Sequence, residues 1–298
     1  MKEKFKNWNP TREGWTRLSQ AQDIIDEYRS DGYTLTLRQL YYQFVAADLI
    51  ENSERSYKNL GNLITRARES GRIDWSAIED RNRGLECFHT EENAGRLLSR
   101  VPDLLTHDQW GWQESYVEVW VEKEALGGVI ERACTPFMVP HLSCKGYLSA
   151  SEAYRAGKRF ERARYEGKTC HIIHLGDHDP SGIDMTRDNS ERVNLFSNAM
   201  DYDDVMVTRL ALNMNQIEEF SPPPNPTKTT DSRARDYISQ FGHTSWELDA
   251  LRPQVLVDMI QTEIKGHIDQ RQWEKVEAEQ KKARKKLNDF VAKWDSEE

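Results

Sequence analysis

Two short stretches carry oxygen ligands at spacings that suit a hard cation. Glu122 closes the apolar run in VEVWVEKEALGG, and Asp177 and Asp179 follow another apolar run in IIHLGDHDPSGIDM. When two such strands lie side by side, a carboxylate at one strand end and an Asp-x-Asp pair at the other converge on one point. Hard oxygen donors on loops suit Mg²⁺, with Mn²⁺ as a possible substitute, because such an ion keeps part of its water shell for phosphate oxygens. An ion held there offsets charge on a pentavalent phosphoryl transition state and on its leaving oxygen. Gly176 and Gly182 flank the pair and permit tight backbone near a bulky anion. Taken alone, D-x-D-P-x-G is an ordinary turn. The strand-ending V-E-K makes Glu122, Asp177 and Asp179 a candidate metal triad, with Glu124 and Asp184 as neighbouring acids outside it.

A second group could supply a nucleophile. Thr36 is a candidate N-cap for a helix in which Leu37, Leu40, Tyr41, Phe44 and Val45 recur at helical spacing on one apolar stripe. Tyr42 is then turned about 100° from that stripe, and Arg38 lies one turn before it, both on one exposed helix face. A guanidinium in that place could hold a phosphate or stabilise a phenolate, which ordinarily forms only near about pH 10. The same periodicity describes a partly buried structural tyrosine, so spacing leaves both readings open.

These residues need elements to position them. From Trp15 to Arg83 the pattern is helical, with stripes at Ile24, Ile25 and Tyr28, then the Thr36 helix, then Leu60, Leu63, Ile64 and Ala67 before Gly71. Three short helices and a small irregular segment suit a helix-turn-helix or winged-helix module, or a plain bundle. From Ser115 to Phe220, SYVEVWV, FMVPHLSC, CHIIHL and DVMVTRLAL alternate with helical stretches such as SASEAYRAGKRFERARY. That alternation predicts a mainly parallel, doubly wound sheet with its active residues beyond the carboxyl ends of the strands. The loop SPPPNPTKTTDSR follows, then TSWELDALRPQVLVDMIQTEI, read as helical with an interruption near Pro253, and a polar helix from Gln270 to Glu298.

Composition limits the function classes. The chain has 298 residues, 37% hydrophobic and 31% charged, with no apolar run approaching the roughly 18 residues a bilayer span needs. The N-terminal MKEKFKNWNPTREGW lacks the apolar core of a signal peptide, and Cys87, Cys134, Cys144 and Cys170 form no Cys-x-x-Cys pair. A reducing cytoplasm is the expected setting, with no membrane partner and no zinc site. The net charge of −9 disfavours a uniform nucleic-acid surface, but the charge is segregated. Lys145 to Lys168 holds seven basic residues against three acidic, whereas Thr169 to Phe220 holds three against ten. Such a chain could grip phosphates in one place and hold a cation in another. Arg66, Arg68 and Arg72, on or just after the third helix, and Lys145, Arg155, Lys158, Arg159 and Arg162 are the candidate DNA-contacting residues.

Val121 to Ala125 (V-E-K-E-A) followed by Asp177 to Gly182 (D-x-D-P-x-G) resembles the Toprim domain of the type IIB topoisomerase A subunit (topoisomerase VI) and of the meiotic double-strand-break transesterase. CKGYLS at Cys144 to Ser149 is similar to that family's G-K-G-Y-P segment, and ELDAL at Glu247 to Leu251 to its E-x-x-A-L stretch. Arg38-Gln39-Leu40-Tyr41-Tyr42 resembles the family's R-D-I-Y-Y, in which the second tyrosine attacks DNA from a winged-helix domain and the arginine assists. The resemblance covers roughly Leu35 to Leu251 and rests on short motifs. Gln39 departs from the family's Asp, Leu148 from its Pro, and the family's following Thr-Arg is out of register.

The resemblance implies an α/β protein: a helical, winged-helix-like unit over 1–100, a Rossmann-like Toprim unit with a mainly parallel sheet over 101–230, and a helical C-terminal extension over 231–298. It implies Mg²⁺-dependent cleavage of double-stranded DNA, with Tyr42 and Arg38 at the nucleophilic end and Glu122, Asp177 and Asp179 on the metal. It also implies a homodimer in which one protomer's tyrosine faces the other's metal, and a separate ATPase subunit, because no ATP-binding motif is present. The alternatives are a hydrolytic nuclease on the same scaffold, as in the Toprim-containing Wadjet nuclease subunit, with Tyr42 structural, and a non-catalytic DNA-binding protein.

Overall fold

The computed structural model describes residues 2–79, 90–198 and 204–294. Cys87, the block boundary at Arg83 and the last residues of the C-terminal tail lie outside these. Helix α1 (Arg12–Ser30) starts at Thr11, whose hydroxyl accepts from the Gly14 amide, and it buries Leu18, Ala21, Ile25 and Tyr28 along one stripe. Strand β1 (Leu35–Thr36) leads into α2 (Leu37–Ala46). Thr36 caps α2 as expected, and Gln39 completes a capping box by accepting from the Thr36 amide at 2.8 Å. That gives Gln39 a structural task of its own.

Helix α3 (Glu54–Glu69), capped by Ser53, completes a three-helix unit. Strand β2 (Ile78–Glu79) then pairs with β1 in parallel, and each of the two strands is only two residues long. This is a clasp between the start of α2 and the end of the helical unit, different from the antiparallel ribbon that forms a wing.

Helix α4 (Ala94–Leu104) precedes the alternating region: β3 (Ser115–Val121), α5 (Gly127–Cys134), β4 (His141–Ser143), α6 (Ala150–Tyr165), β5 (Thr169–Leu175), α7 (Pro180–Phe196), β6 (Val205–Ala211) and α8 (Met214–Phe220). The strands form a parallel four-stranded sheet in the order β4-β3-β5-β6. The protein is therefore α/β, and the expected parallel sheet is present. From β3 the chain steps outward to β4, and from β5 it steps the other way to β6. The strand order thus reverses between β3 and β5, where an open α/β sheet leaves a crevice at its carboxyl edge. Val121 pairs with Leu175, so the chain leaves both strands at the same height. Register alone therefore brings Glu122 and Asp177 together.

The last part contains β7 (Asn225–Pro226), α9 (Ala234–Phe241), β8 (Thr244–Ser245), α10 (Pro253–Gly266) and α11 (Gln270–Trp294). The expected helical run from Thr244 with a break at Pro253 is corrected. Thr244 and Ser245 form a strand, Leu248–Ala250 a single 3₁₀ turn, and Pro253 starts α10, where its missing N–H costs nothing.

One apolar cluster runs from Leu18, Ile25, Leu40 and Phe44 through Val119, Val121 and Leu175 to Leu256, Ile260 and Ile264. The three expected units therefore share a core. A boundary at residue 100 falls inside α4, which packs on α11 rather than on α1–α3. The opposite sheet face is covered by α6 and α7 through a second cluster centred on Trp120, Phe160 and Ile172. Among the described residues, no helix is long and apolar enough to cross a membrane.

Candidate functional site

The carboxyl edge of β3 and β5 holds the predicted acids. Glu122 is nearly buried, and its Oε2 accepts from the Asp177 amide at 2.9 Å. Asp179 is the N-cap of α7, with Oδ1 accepting from the Gly182 amide at 2.7 Å and from the Ser181 hydroxyl at 2.9 Å. Gly182 is required here. A Cβ at that position would meet the Asp177 carbonyl oxygen at 2.2 Å and Glu122 Oε2 at 3.0 Å. Arg209, at the end of β6, ties the loop from behind by donating to the carbonyls of Gly176 (3.0 Å), Asp177 (2.6 Å) and Gly182 (2.9 Å). Burial lowers the Arg209 pKa to about 10.

A second set of acids joins this edge from a segment to which spacing assigned no role. His178 and Trp246 exchange backbone hydrogen bonds at 2.8 and 3.0 Å, and the Tyr237 hydroxyl donates to the His178 and Thr244 carbonyls. This zips the Asp-x-Asp loop to the chain after β8 and delivers the turn that carries Glu247 and Asp249. Leu248 then donates its amide to Asp177 Oδ1 at 2.8 Å, 71 residues away in sequence. Asp177, Glu247 and Asp249 each present one carboxylate oxygen within 4.8 Å of the others.

The Lys123 ammonium lies among those three carboxylates. It is 2.9 Å from Asp177 Oδ1, 2.9 Å from Asp249 Oδ1 and in direct contact with Glu247 Oε2. Arg38 closes the other side, with Nη2 2.7 Å from Glu247 Oε2 and Nε 3.0 Å from Asp249 Oδ2. The latter contact is too misaligned to count as a hydrogen bond, so it acts through charge.

Burial drives Asp177 and Glu122 towards their protonated forms, with Lys123 opposing in both cases. Glu247 goes the other way. Burial would raise it, but Lys123 and Arg38 outweigh that and hold its pKa at about 2. The Lys123 pKa is raised well above the ordinary value, since Asp249, Asp177 and Glu247 together outweigh its burial.

The donor set fits a hard divalent cation. Carboxylate oxygens converge, no sulfur or imidazole nitrogen belongs to the cluster, and the Gly176–Gly182 loop leaves little room for larger groups. Of the predicted triad, Asp177 belongs to the tight cluster. Glu122 and Asp179 adjoin it and feel each other's charge. Glu124 is paired with Lys145, and Asp184 with Tyr147, Arg187 and Arg233, so neither joins it.

Tyr42 and Arg38 reach the same place. Tyr42 lines a cavity of about 660 Å³ together with Arg38, Tyr57, Asp179, Trp246 and Glu247. Its hydroxyl is 3.4 Å from Arg38 Nη2, and the guanidinium lies over its ring. One expectation is corrected. Tyr42 is buried, because the Glu247–Ala250 turn packs against α2 and covers the face expected to be open. Arg38 also meets Glu247 and Asp249 of its own chain, so the tyrosine helix and the acidic cluster meet without a second protomer. Burial raises the Tyr42 pKa, Asp249 and Glu247 add to the rise, and Arg38 and Lys123 oppose it. A roomier hollow of about 1010 Å³ beside α1 draws a carboxylate only from Asp23, so size does not mark the chemistry.

The candidate DNA-contacting arginines and lysines divide by what they already touch. Arg66 is exposed. Arg68 donates to the Trp75 carbonyl and stacks on its ring, and Arg72 donates to the Trp8 carbonyl and stacks on Trp15. On α6, Arg155 and Lys158 pair with Glu152 and Glu161 of the same helix, and Arg162 with Glu166 just past its end. Arg159 instead holds buried Glu118 through two hydrogen bonds, beside the Tyr116 hydroxyl and the Trp120 indole. The basic stretch seen in sequence is therefore largely neutralised locally, and Arg159 is a structural staple.

Sequence spacing missed Lys123, Glu247, Asp249 and Arg209. The signal for the first three lay in V-E-K and in E-x-D, an acid pair with the same spacing as Asp177 and Asp179. In comparisons with known proteins, no family model matches the chain and no curated protein matches it.

Proposed function

We propose that this protein is a divalent-cation-dependent enzyme that cleaves DNA phosphodiesters by tyrosine transesterification. The observation that carries the reading is the single cavity onto which Tyr42, Arg38, Asp179 and Glu247 open, beside the Asp177 cluster. Together with the motif resemblance to the topoisomerase VI A subunit, it supports a reading in which Tyr42 serves as nucleophile, Arg38 as phosphate-binding cation and the carboxylates as metal-binding acids. Glu122, Asp177 and Asp179 would hold Mg²⁺, or Mn²⁺ in its place, and the bound ion would offset charge on the phosphate oxygens.

The chain's own groups account for the rest. The Tyr42 oxygen forms the new bond to phosphorus, the bond to the 3′-oxygen breaks, and the product is a 5′-phosphotyrosyl link with a free 3′-hydroxyl. The phenolic proton must leave, and it passes through solvent water to the departing 3′-oxygen. Arg38 favours the resulting phenolate, while burial and the nearby carboxylates hold the proton in place until substrate arrives. On this reading the helical N-terminal unit is winged-helix-like in its DNA contacts, and the sheet is a Toprim unit. A homodimer would match the two-fold symmetry of duplex DNA, and ATP-driven strand passage would need a separate ATPase subunit.

One observation favours the hydrolytic alternative. Tyr42 is only 5% exposed, which suits a structural tyrosine and leaves attack to water in the cavity. Incubating labelled duplex DNA with the protein and Mg²⁺, followed by denaturant, decides between them. A covalent adduct that disappears in Tyr42→Phe supports transesterification. Cleavage by Tyr42→Phe at the normal rate replaces it with hydrolysis, and no Mg²⁺- or Mn²⁺-dependent cleavage at all rejects both.

A further inference from the structure

We infer that Lys123 is a built-in cation that fills the Asp177–Glu247–Asp249 cluster, so that the site takes one divalent ion on the Glu122–Asp179 side and never a second. The inference deepens the cleavage proposal and rests on it for its catalytic meaning, but its structural basis is independent.

An ammonium has three N–H donors and no acceptor. Lys123 has three carboxylate partners, Asp177 and Asp249 at 2.9 Å and Glu247 in direct contact. Two of its donors are taken up in hydrogen bonds to Glu247 and Asp249, the Asp177 contact acts through charge, and its side chain is only 15% exposed. The same three carboxylates are the group whose spacing would suit a metal ion. An ammonium and a divalent cation cannot share that space. Without a cation, three acids, one of them fully buried at Asp249, would repel one another at close range. Arg38 touches only Glu247 and Asp249 from the outer side and supplies a single charge.

Lys123 is also fixed in place by the chain. It directly follows Glu122 at the end of β3, so the residue that contributes a metal acid and the residue that contributes the ammonium leave the sheet together. The site then carries two positive centres of different kinds. One is an exchangeable ion, and the other is a tethered amine that cannot be removed by chelation. For phosphoryl chemistry this places a permanent cation beside Asp177 and Glu247, facing the side from which Tyr42 and Arg38 approach.

The test is a count of bound ions, made without DNA. Mn²⁺ binding measured by titration calorimetry and by the electron paramagnetic resonance signal of free ion should give one ion per wild-type chain. Lys123→Met removes the ammonium at similar volume, and its bound Mn²⁺ should rise about twofold, with a larger rise in thermal midpoint on adding ion than wild type shows. Lys123→Gln, which keeps a donor but no charge, should behave in the same way and serves if Lys123→Met does not fold. Two ions in wild type, with one lost in Asp249→Asn, would overturn the inference. So would an unchanged count in the Lys123 variants. A protein that gains an ion in Lys123→Met yet never cuts DNA loses the cleavage proposal and keeps this one. A protein that cuts DNA while wild type holds two ions does the reverse.

Discussion

Arg38 and Glu247 are 209 residues apart in the chain and 2.7 Å apart in space. The contact fastens the tyrosine helix α2 to the turn that completes the acidic cluster, so one ion pair couples these two parts of the chain. Arg38→Met should leave Asp249 fully buried with Lys123 as its remaining cation. Removing one partner of a buried pair costs about 3–5 kcal/mol. Arg38 is nearly half exposed, so solvent screening should reduce that to about 1–2 kcal/mol. Urea unfolding measures it, and a midpoint equal to wild type would mean that the pair fastens nothing.

Gly182 predicts a sharper effect in a smaller residue. A methyl group there would meet the Asp177 carbonyl oxygen at 2.2 Å, and that oxygen is backbone held by Arg209. Gly182→Ala should therefore destabilise by about 1–3 kcal/mol and displace Asp177. Gly266, near the end of α10, has nothing within 4 Å of its added Cβ and gives the control. Gly266→Ala should be neutral or stabilising by up to about 1 kcal/mol, because alanine is the better helix residue. Equal thermal shifts for the two would remove the packing argument.

Acid should act through buried histidines. His174 is fully buried, donates to or accepts from Thr186 through Nδ1, and has no partner at Nε2. Burial, with Arg209 adding to it, lowers its pKa to about 3. The unfolded chain therefore binds this proton first. The stabilising contribution of neutral His174 is complete above the unfolded value of about 6.5 and is lost progressively as pH falls towards about 3. Thermal midpoints of wild type and His174→Gln should diverge at neutral pH and converge through that window. Parallel curves would assign the acid loss elsewhere.

The sheet and the acidic edge at Glu122 and Asp177 were legible because their signals are local. SYVEVWV and CHIIHL are short apolar runs ending in turn chemistry, and β3 and β5 end within a residue of where those runs stop. Once both are strands, parallel register brings Glu122 to Asp177. Glu247 and Asp249 were not legible in this way. Their place depends on the His178–Trp246 bridge and on Tyr237, contacts between segments separated by most of a domain. The burial of Tyr42 failed for the same reason, since helical periodicity describes α2 in isolation and the covering turn arrives some 200 residues later. The basic stretches misled differently. Charge counting cannot tell an arginine stacked on Trp15 or bonded to Glu118 from one free to meet phosphate.

That distinction yields the last prediction. If duplex DNA binds to the helical N-terminal unit, Arg66 is the candidate left exposed on α3, whereas Arg159 is committed to Glu118. Arg66→Glu should weaken duplex binding across all sequences and flatten its salt dependence, because each phosphate contact releases counterions with a slope near −0.9 on a logarithmic scale, as an order-of-magnitude estimate. Its thermal midpoint should stay close to wild type, as for surface substitutions generally. Arg159→Glu should behave in the opposite way. It sets a carboxylate against Glu118, which is only 2% exposed and shared with the Tyr116 hydroxyl and the Trp120 indole. Uncompensated charge of that kind costs several kcal/mol, so the variant should unfold or lose most of its stability before any binding deficit can be read. Fluorescence anisotropy across a salt series, beside thermal unfolding of the same preparations, separates the two. A stable Arg159→Glu that binds DNA poorly, with an Arg66→Glu that binds normally, would move the DNA path from α3 to α6.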